Sequence, residues 1–309
     1  MIYTVTLNPA MDITVATGVI NREKTNRTEL KSIAIGGKGF NTSRALNCLG
    51  MDNTAIAFLG GPFIENIKKM LAEEEIDSTV IPIKGSTRVN LKVVEEETGR
   101  LVEFNENGPL IEKSELEDLN RILRDIGPRA DFFIMSGSLP KDMDEMIYQR
   151  IIEILKEQKT RVLLDASGPS LYHGLEALPH IVKVNREEIS GVCERYYKAG
   201  PESVIRDLVD RGIKMVMVTD GPRDAFYYDH TGKYRIKSPD IRGPYKTGAG
   251  DAVNAGLIFA LKNDYQIEER LKFAAACGNA NILTGVPGEV DIKTVQSLVP
   301  RIKIKKEKG

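Results

Sequence analysis

The chain has 309 residues, Lys+Arg 43 against Asp+Glu 44, and a formal net charge of −1. That length allows a large core, as one big α/β domain or one domain with an insert, and the even charge balance leaves no footprint for a nucleic acid or a membrane surface. Neither the cysteines (Cys48, Cys193, Cys277) nor the histidines (His173, His180, His230) show metal-ligand spacing, and the cysteines read as small core residues of a reduced, cytoplasmic protein.

Residues 2–7 alternate and are β-rich, with no basic lead and no long apolar run, so they predict a first strand and not a signal peptide. No later window is long and apolar enough to span a membrane. Residues 13–35 are short, polar and strand-like. A helix is expected over 40–49, a strand over 55–59, and a helix over 63–75, where Ile64, Ile67, Lys68 and Leu71 recur at helical spacing. Segments 88–94 and 101–105 flank Thr98-Gly99 and read as a β-hairpin.

The rhythm then becomes strand–helix–strand. Helix 112–126 leads to strand 132–135, helix 142–158 to strand 162–164, and strand 181–184 through helix 201–212 to strand 215–218. Helices 251–262 and 267–284 come late. The alternation predicts a mostly parallel sheet covered by helices. The strands within 13–35 and 85–106 are too polar on both faces for such a sheet. They predict a small β-sheet standing off the main domain, inserted in one unit spanning 1–309. The basic end at 303–308 reads as a solvated tail.

The most informative stretch is Thr247-Gly248-Ala249-Gly250-Asp251, which runs directly into the helical segment 252–258. Small residues there let backbone N–H groups crowd at a helix N-terminus, a ready anion site. A carboxylate beside a bound phosphate is repelled by it. Asp251 makes sense if it takes a proton from a hydroxyl that attacks a phosphoryl group held by the amides. The blander alternative is an acidic first-turn residue favoured by the helix dipole.

A second cluster, Gly36-Gly37-Lys38-Gly39-Phe40-Asn41, opens the helix at 40–49. Its glycines permit close approach of a ligand to backbone, Lys38 adds a cation, and Asn41 adds a donor and an acceptor. The spacing is neither that of a P-loop nor that of a dinucleotide fingerprint. Three further segments follow strands, at the sheet edge where α/β proteins bind ligands: Asn8-Pro9 with Asp12, Ser136-Gly137-Ser138-Leu139-Pro140, and Lys183-Val184-Asn185-Arg186-Glu187-Glu188. Asn185 and Glu188 share one face of a helical turn, where they either hold waters around Mg²⁺ or form a helix cap with a surface acid.

These segments together resemble the ribokinase-like sugar kinases. The run 36–43 with Gly50 and Gly60 is similar to the first family signature, and the run 248–251 to the second. Residues 136–140 and the opening Thr6-Leu7-Asn8-Pro9-Ala10 with Asp12 look like the phosphofructokinase B branch, which holds 1-phosphofructokinase, the minor 6-phosphofructokinase and tagatose-6-phosphate kinase. The resemblance implies a three-layer α/β/α fold with a β-sheet lid, and a homodimer formed through lid strands. It implies ATP- and Mg²⁺-dependent phosphorylation of a sugar phosphate. Asp251 would be the base, with Gly248, Ala249 and Gly250 forming the anion hole. Asp12, Gly37 and Asn41 would hold sugar hydroxyls, with Ser138 nearby. Lys38 and Arg88 would hold the substrate's own phosphate, joined by Arg27 from the lid. Lys183, Asn185 and Glu188 would sit near the ATP phosphates and Mg²⁺, Glu188 acting on the metal through water. Thr219, Gly221 and Asn279 would line the nucleotide side.

Three positions depart from the family pattern: Lys246 before the anion hole, Val184 in place of a proline, and Asp220 at the nucleotide edge of Thr219-Asp220-Gly221-Pro222-Arg223-Asp224. Segments 87–92 and 103–105 look most like 1-phosphofructokinase, which points to fructose 1-phosphate, with tagatose 6-phosphate and fructose 6-phosphate as alternatives. Two other classes remain. A non-catalytic sugar-phosphate sensor has no use for an intact Asp251. A nucleoside kinase has no use for Lys38 and Arg88 as paired phosphate ligands.

Overall fold

In the computed structural model, which describes residues 1–243 and 247–307, apolar side chains alternate along the buried strands and feed two separate cores. Phe133 and Met135 enter one core, and Phe132 and Ile134 enter the other. Strands buried on both faces are what a parallel sheet between helices requires. Each fully buried Phe or Leu contributes roughly 1.5–3 kcal/mol relative to exposure, so the two cores hold the layers in register.

In chain order the strands are β1 (Ile2–Thr6), β2 (Ala10–Thr17), β3 (Glu29–Gly36), β4 (Asn53–Gly60), β5 (Ser78–Ile83), β6 (Arg88–Glu95), β7 (Arg100–Asn105), β8 (Phe132–Ser136), β9 (Arg161–Asp165), β10 (Ile181–Asn185), β11 (Met215–Thr219), β12 (Ala225–Asp229), β13 (Gly232–Lys237) and β14 (Lys303–Lys306). The helices are α1 (Lys38–Cys48), α2 (Ile64–Glu73), α3 (Lys113–Ile126), α4 (Ile147–Glu157), α5 (Gly168–Glu176), α6 (Arg186–Val192), α7 (Pro201–Arg211), α8 (Ala249–Lys262), α9 (Ile267–Thr284) and α10 (Ile292–Leu298).

The main sheet is 10-stranded, in the order β14-β13-β12-β11-β10-β9-β8-β1-β4-β5. It is parallel from β11 to β5, and β12, β13 and β14 add an antiparallel edge. Helices α3 to α7 cover one face, and α1, α8, α9 and α10 cover the other. The result is the three-layer α/β/α arrangement with a mostly parallel sheet. No helix among the described residues is long and apolar enough to cross a membrane.

The second sheet is 4-stranded, in the order β3-β2-β6-β7, and corresponds to the small sheet expected from 13–35 and 85–106. Its faces differ from expectation. Register places Met11, Ile13, Ile33, Ile35, Leu91 and Phe104 on one face and Asp12, Arg88, Asn90, Lys92, Glu103 and Asn105 on the other. The sheet is therefore amphipathic and not polar on both sides. Met11 and Ile35 bury their part of the apolar face against α2, whereas Ile33 (45%) and Phe104 (58%) stay exposed. The hydropathy of residues 13–35 hid this, because the exposed loop 18–28 dilutes the alternation of β2 and β3.

Other expectations also give way. Asp12 lies within β2, not in the loop after β1. The tail at 303–306 is strand β14, paired with β13; Lys308 and Gly309 lie outside the described residues, as does Lys246. Cys48 is exposed, while Cys193 and Cys277 are core residues. Strand β5 escaped notice because Pro82 interrupts it. That proline is tolerated because β5 is the sheet edge and pairs only with β4. Helix α6 is too short, and α5 opens on Gly168-Pro169, so neither gives a clear helical period.

Candidate active site

The carboxyl ends of β1, β8, β9, β10 and β11, the N-termini of α1 and α8, and the polar face of the small sheet enclose a cleft of roughly 720 Å³. That is the size of a small-molecule site, at the sheet edge where such folds bind ligands. Asp12, Gly37, Lys38, Asn41, Arg88, Ser138, Lys183, Asn185, Glu188, Thr219, Gly221, Gly248, Ala249, Gly250, Asp251 and Asn279 all line it. Arg27 does not. It lies in the exposed loop between β2 and β3, where its carbonyl accepts the Thr17 hydroxyl at 3.1 Å.

Gly248 caps α8 with φ +86, and a Cβ there would fall 2.5 Å from Gly288 N. A Cβ on Gly250 would meet Lys183 Nζ at 2.6 Å. Glycine at these positions lets the 285–289 loop and a lysine ammonium press against the helix end. The first helical bond runs from Ala252 N to Gly248 O at 2.9 Å. The N–H groups of Ala249, Gly250 and Asp251 precede it and are available to an anion.

Asp251 sits in the first turn of α8, 4% exposed, and its Oδ2 accepts Asn41 Nδ2 at 2.8 Å. Burial pushes its carboxyl up to about 6, and the Asp165 charge adds to this; Lys38, Lys183 and the Asn41 donor oppose it. A poised, buried carboxyl at a helix N-terminus can accept a proton near neutral pH.

Asp165, at the end of β9 and fully buried, does not line the cleft but holds two lysines that do. Its Oδ1 accepts Lys38 Nζ at 2.9 Å, and its Oδ2 accepts Lys183 Nζ at 2.7 Å and Asn254 Nδ2 at 2.8 Å. Burial alone would raise the Asp165 carboxyl; the two lysines outweigh it and hold the group well below the usual carboxylate range. Burial likewise opposes the Lys38 charge, and Asp165, Asp251 and Glu188 outweigh it, so the ammonium is held well above its ordinary range. Sequence reasoning passed over Asp165, although an acid directly after the apolar run Val162-Leu163-Leu164 carried the same edge-of-sheet signal as Ser136.

Asn185 and Glu188 form a capping box. Asn185 Oδ1 accepts Glu188 N, and Glu188 Oε2 accepts Asn185 N, both at 2.8 Å. Glu188 Oε1 remains toward the cleft, 3.9 Å from Lys38 Nζ. On the small sheet, Asp12 accepts Asn90 Nδ2 at 2.8 Å and Lys92 Nζ at 3.2 Å. Arg88 donates to the carbonyls of Glu106 and Asn8 at 3.0 and 3.1 Å.

Two of the departures are absorbed locally. Val184 packs into the core within β10 and leaves Lys183 and Asn185 free to reach the cleft. Asp220 is paired with Arg186 at 3.1 Å and Arg223 at 2.7 Å, so its charge is offset.

A profile described as pfkB family carbohydrate kinase matches residues 5–291. The chain is 31% identical over 308 residues to a 1-phosphofructokinase of Bacillus subtilis, covering 98% of this chain and 99% of that one. It is also 31% identical over 311 residues to a tagatose-6-phosphate kinase of Staphylococcus epidermidis, covering 98% and 99%. The fold superposes on the crystal structure of phosphofructokinase-2 from Escherichia coli in complex with potassium with a TM-score of 0.89, at 28% identity, covering 97% and 98% of the two chains.

The Asp165 network predicts a stability effect. Replacing Asp165→Asn leaves the buried Lys183 ammonium without its counter-charge, which should cost about 3–5 kcal/mol. Urea unfolding at pH 7 reads this directly. Because Asp165 is held below its unfolded range, its stabilisation is present above the unfolded carboxylate range and is lost as pH falls through the folded one. The gap between parent and variant should therefore close in acid.

Proposed function

We propose, from the premise that this chain belongs to the pfkB family of carbohydrate kinases, that it transfers the terminal phosphoryl group of ATP to a hydroxyl of a ketohexose phosphate. The observation that carries the reading is Asp251: a buried carboxyl, raised toward neutrality, in the first turn of a helix whose open amides share its cleft. The acceptor hydroxyl attacks the γ-phosphorus, and a new O–P bond forms as the bond to the β-γ bridging oxygen breaks. Asp251 takes the hydroxyl proton, and ADP leaves. The amides of Ala249 and Gly250, with Lys38 and Lys183 held by Asp165, offset the charge that develops on the transferring group.

The nucleotide side fits a polar ligand. Buried Asn279 Nδ2 has no hydrogen-bond partner among the described residues and lines the cleft there; Thr6 Oγ1 and Ser136 Oγ, equally unpartnered, line it nearer Gly37 and Ser138. Glu188, with waters and the nucleotide phosphates, would hold Mg²⁺, an ion that rarely takes an all-protein cage. The metal would neutralise phosphate charge. Lys183, Asn185, Thr219 and Gly221 complete this side.

The lid face supplies the acceptor side. Arg88, Asn90 and Lys92 alternate along β6 on the cleft face. Arg88 would grip the phosphate already on the sugar, and Asp12, Gly37 and Ser138 would meet hydroxyls. Fructose 1-phosphate is the preferred acceptor, on the segments 87–92 and 103–105. The whole chain works as one kinase unit, with the lid inserted at about 13–35 and 85–106.

A second copy of the chain would cover the outer lid face. Ile33 and Phe104 leave that face apolar and exposed, and a small sheet alone is marginally stable. Arg27 can join the acceptor contacts only by movement of its loop or from such a second copy.

Three outcomes test this reading. Asp251→Asn should lower turnover by about 10²–10⁴-fold with acceptor binding kept; near-normal turnover would sink the base assignment. A panel of sugars, sugar phosphates and nucleosides, read by ADP release, should single out ketohexose phosphates, and Arg88→Ala should weaken the preferred one by roughly 2–5 kcal/mol. Equal use of free fructose counts against a phosphate-binding lid. In sedimentation at micromolar concentration the parent should be a dimer and Phe104→Glu should shift toward monomer; a monomeric parent would remove the lid interface.

A further inference from the structure

We infer that Arg44 is a positioning residue for the transfer reaction: its guanidinium dictates which end of the Asn41 amide meets Asp251, and ties that contact to the loop behind the N-terminus of α8. The inference rests on Asp251 being the base. Arg44 lies on α1, three residues after Asn41, and is 9% exposed. It does not line the cleft, so it acts only through its neighbours.

The argument is one of donors and acceptors. An arginine N–H can only donate. Arg44 Nη1 donates to Asn41 Oδ1 at 3.2 Å, so the oxygen end of that amide must face Arg44. The NH₂ end must then face Asp251, where Nδ2 donates to Oδ2 at 2.8 Å. Each end of the Asn41 amide thus has a protein partner. An unconstrained amide is nearly symmetric in shape and can present either end. With its oxygen toward Asp251 it would repel the carboxylate and favour the protonated acid, which is useless as a base.

Arg44 also reaches the anion site. Its Nη1 donates to the Pro287 carbonyl. The Pro287–Gly288 backbone presses on the cap of α8, since a Cβ on Gly248 would lie 2.6 Å from Pro287 Cα. A Cβ on Gly288 would lie 2.1 Å from the Asn41 carbonyl. Glu74, just past α2, grips the far side of the guanidinium through Nε at 2.8 Å and Nη2 at 2.6 Å. One buried side chain thus registers α1, the 285–289 loop and the start of α8 against each other.

The charged groups facing Asp251 are Asp165 on β9, Lys38 on α1 and Lys183 on β10; Glu188 on α6 acts on Lys38. Replacing Arg44 alters none of these side chains. The test is the pH profile of kcat/KM in parent, Arg44→Met and Arg44→Lys, using ATP and the acceptor found in the panel. Substrate phosphates also titrate near pH 6, but equally for all three proteins, so differences between profiles report the enzyme.

Arg44→Met should move the acid limb up by about one pH unit and lower kcat by roughly 10–100-fold, with KM values for both substrates within about twofold of the parent, since no ligand contact changes. Arg44→Lys keeps a donor and should restore part of both effects. An unmoved acid limb in Arg44→Met, or KM values that rise as kcat falls, overturns the inference. Should Arg44→Met fail to fold, Glu74→Gln loosens the same guanidinium from a half-exposed site; it should move the limb the same way by less, and an unmoved limb there counts equally against the inference. Retained turnover in Asp251→Asn would instead remove the underlying base assignment.

Discussion

A carboxylate with no access to water cannot stay charged without close cations, and Asp165 meets that condition with two lysines from different elements. Lys38 comes from the start of α1 and Lys183 from the middle of β10, so a single buried charge fixes where both ammoniums stand. Asn254, on α8, completes the cluster and links it to the helix that carries Asp251. The cleft therefore presents positive charge at fixed positions before any phosphate arrives. Electrostatic stabilisation is most effective when the dipoles and charges need not reorganise during the reaction. Burial first, and the Asp165 charge next, make Asp251 hold its proton more tightly than an ordinary aspartic acid.

The parts of this arrangement differ in how far the sequence discloses them. Gly248 to Asp251 and Gly36 to Asn41 were legible because their demands are local: tight backbone, then a helix start, within a few residues. The short apolar strands 132–135 and 181–184 were legible for the same reason. The roles of Asp165 and Arg44 were not, because they depend on partners remote in the chain; Asp165 showed only its position at the sheet edge. Lys38 is 127 positions from Asp165, and Asn41 is 210 positions from Asp251. Lys38 lines the cleft as a phosphate ligand would, and its pairing with Asp165 is the part that the sequence does not disclose. Asn41 likewise lines the cleft, and its contacts with Arg44 and Asp251 are the part that the sequence does not disclose.

The small sheet shows the same division. The turn at Thr98-Gly99 announced the hairpin β6–β7, and its register follows from that turn. The side to which each residue points requires knowing which face meets the cleft. Asp12, Asn90 and Lys92 neutralise one another on the inner face, while the apolar face is divided between contact with α2 and solvent. A sheet with one wet polar face and one apolar face looks uniformly mixed in a linear hydropathy reading.

The two ends of the large sheet bear on how copies of this protein can meet. A strand at a sheet edge offers unpaired N–H and C=O groups to any other strand, which is a route to fibrous aggregation. At one end, Pro82 in β5 withholds an N–H. At the other, β14 is four residues long, and Lys303, Lys305 and Lys306 line it. A second copy arriving edge-on there would set ammonium against ammonium. The large sheet is thus insulated at both edges from growing by strand addition, in spite of its ten strands.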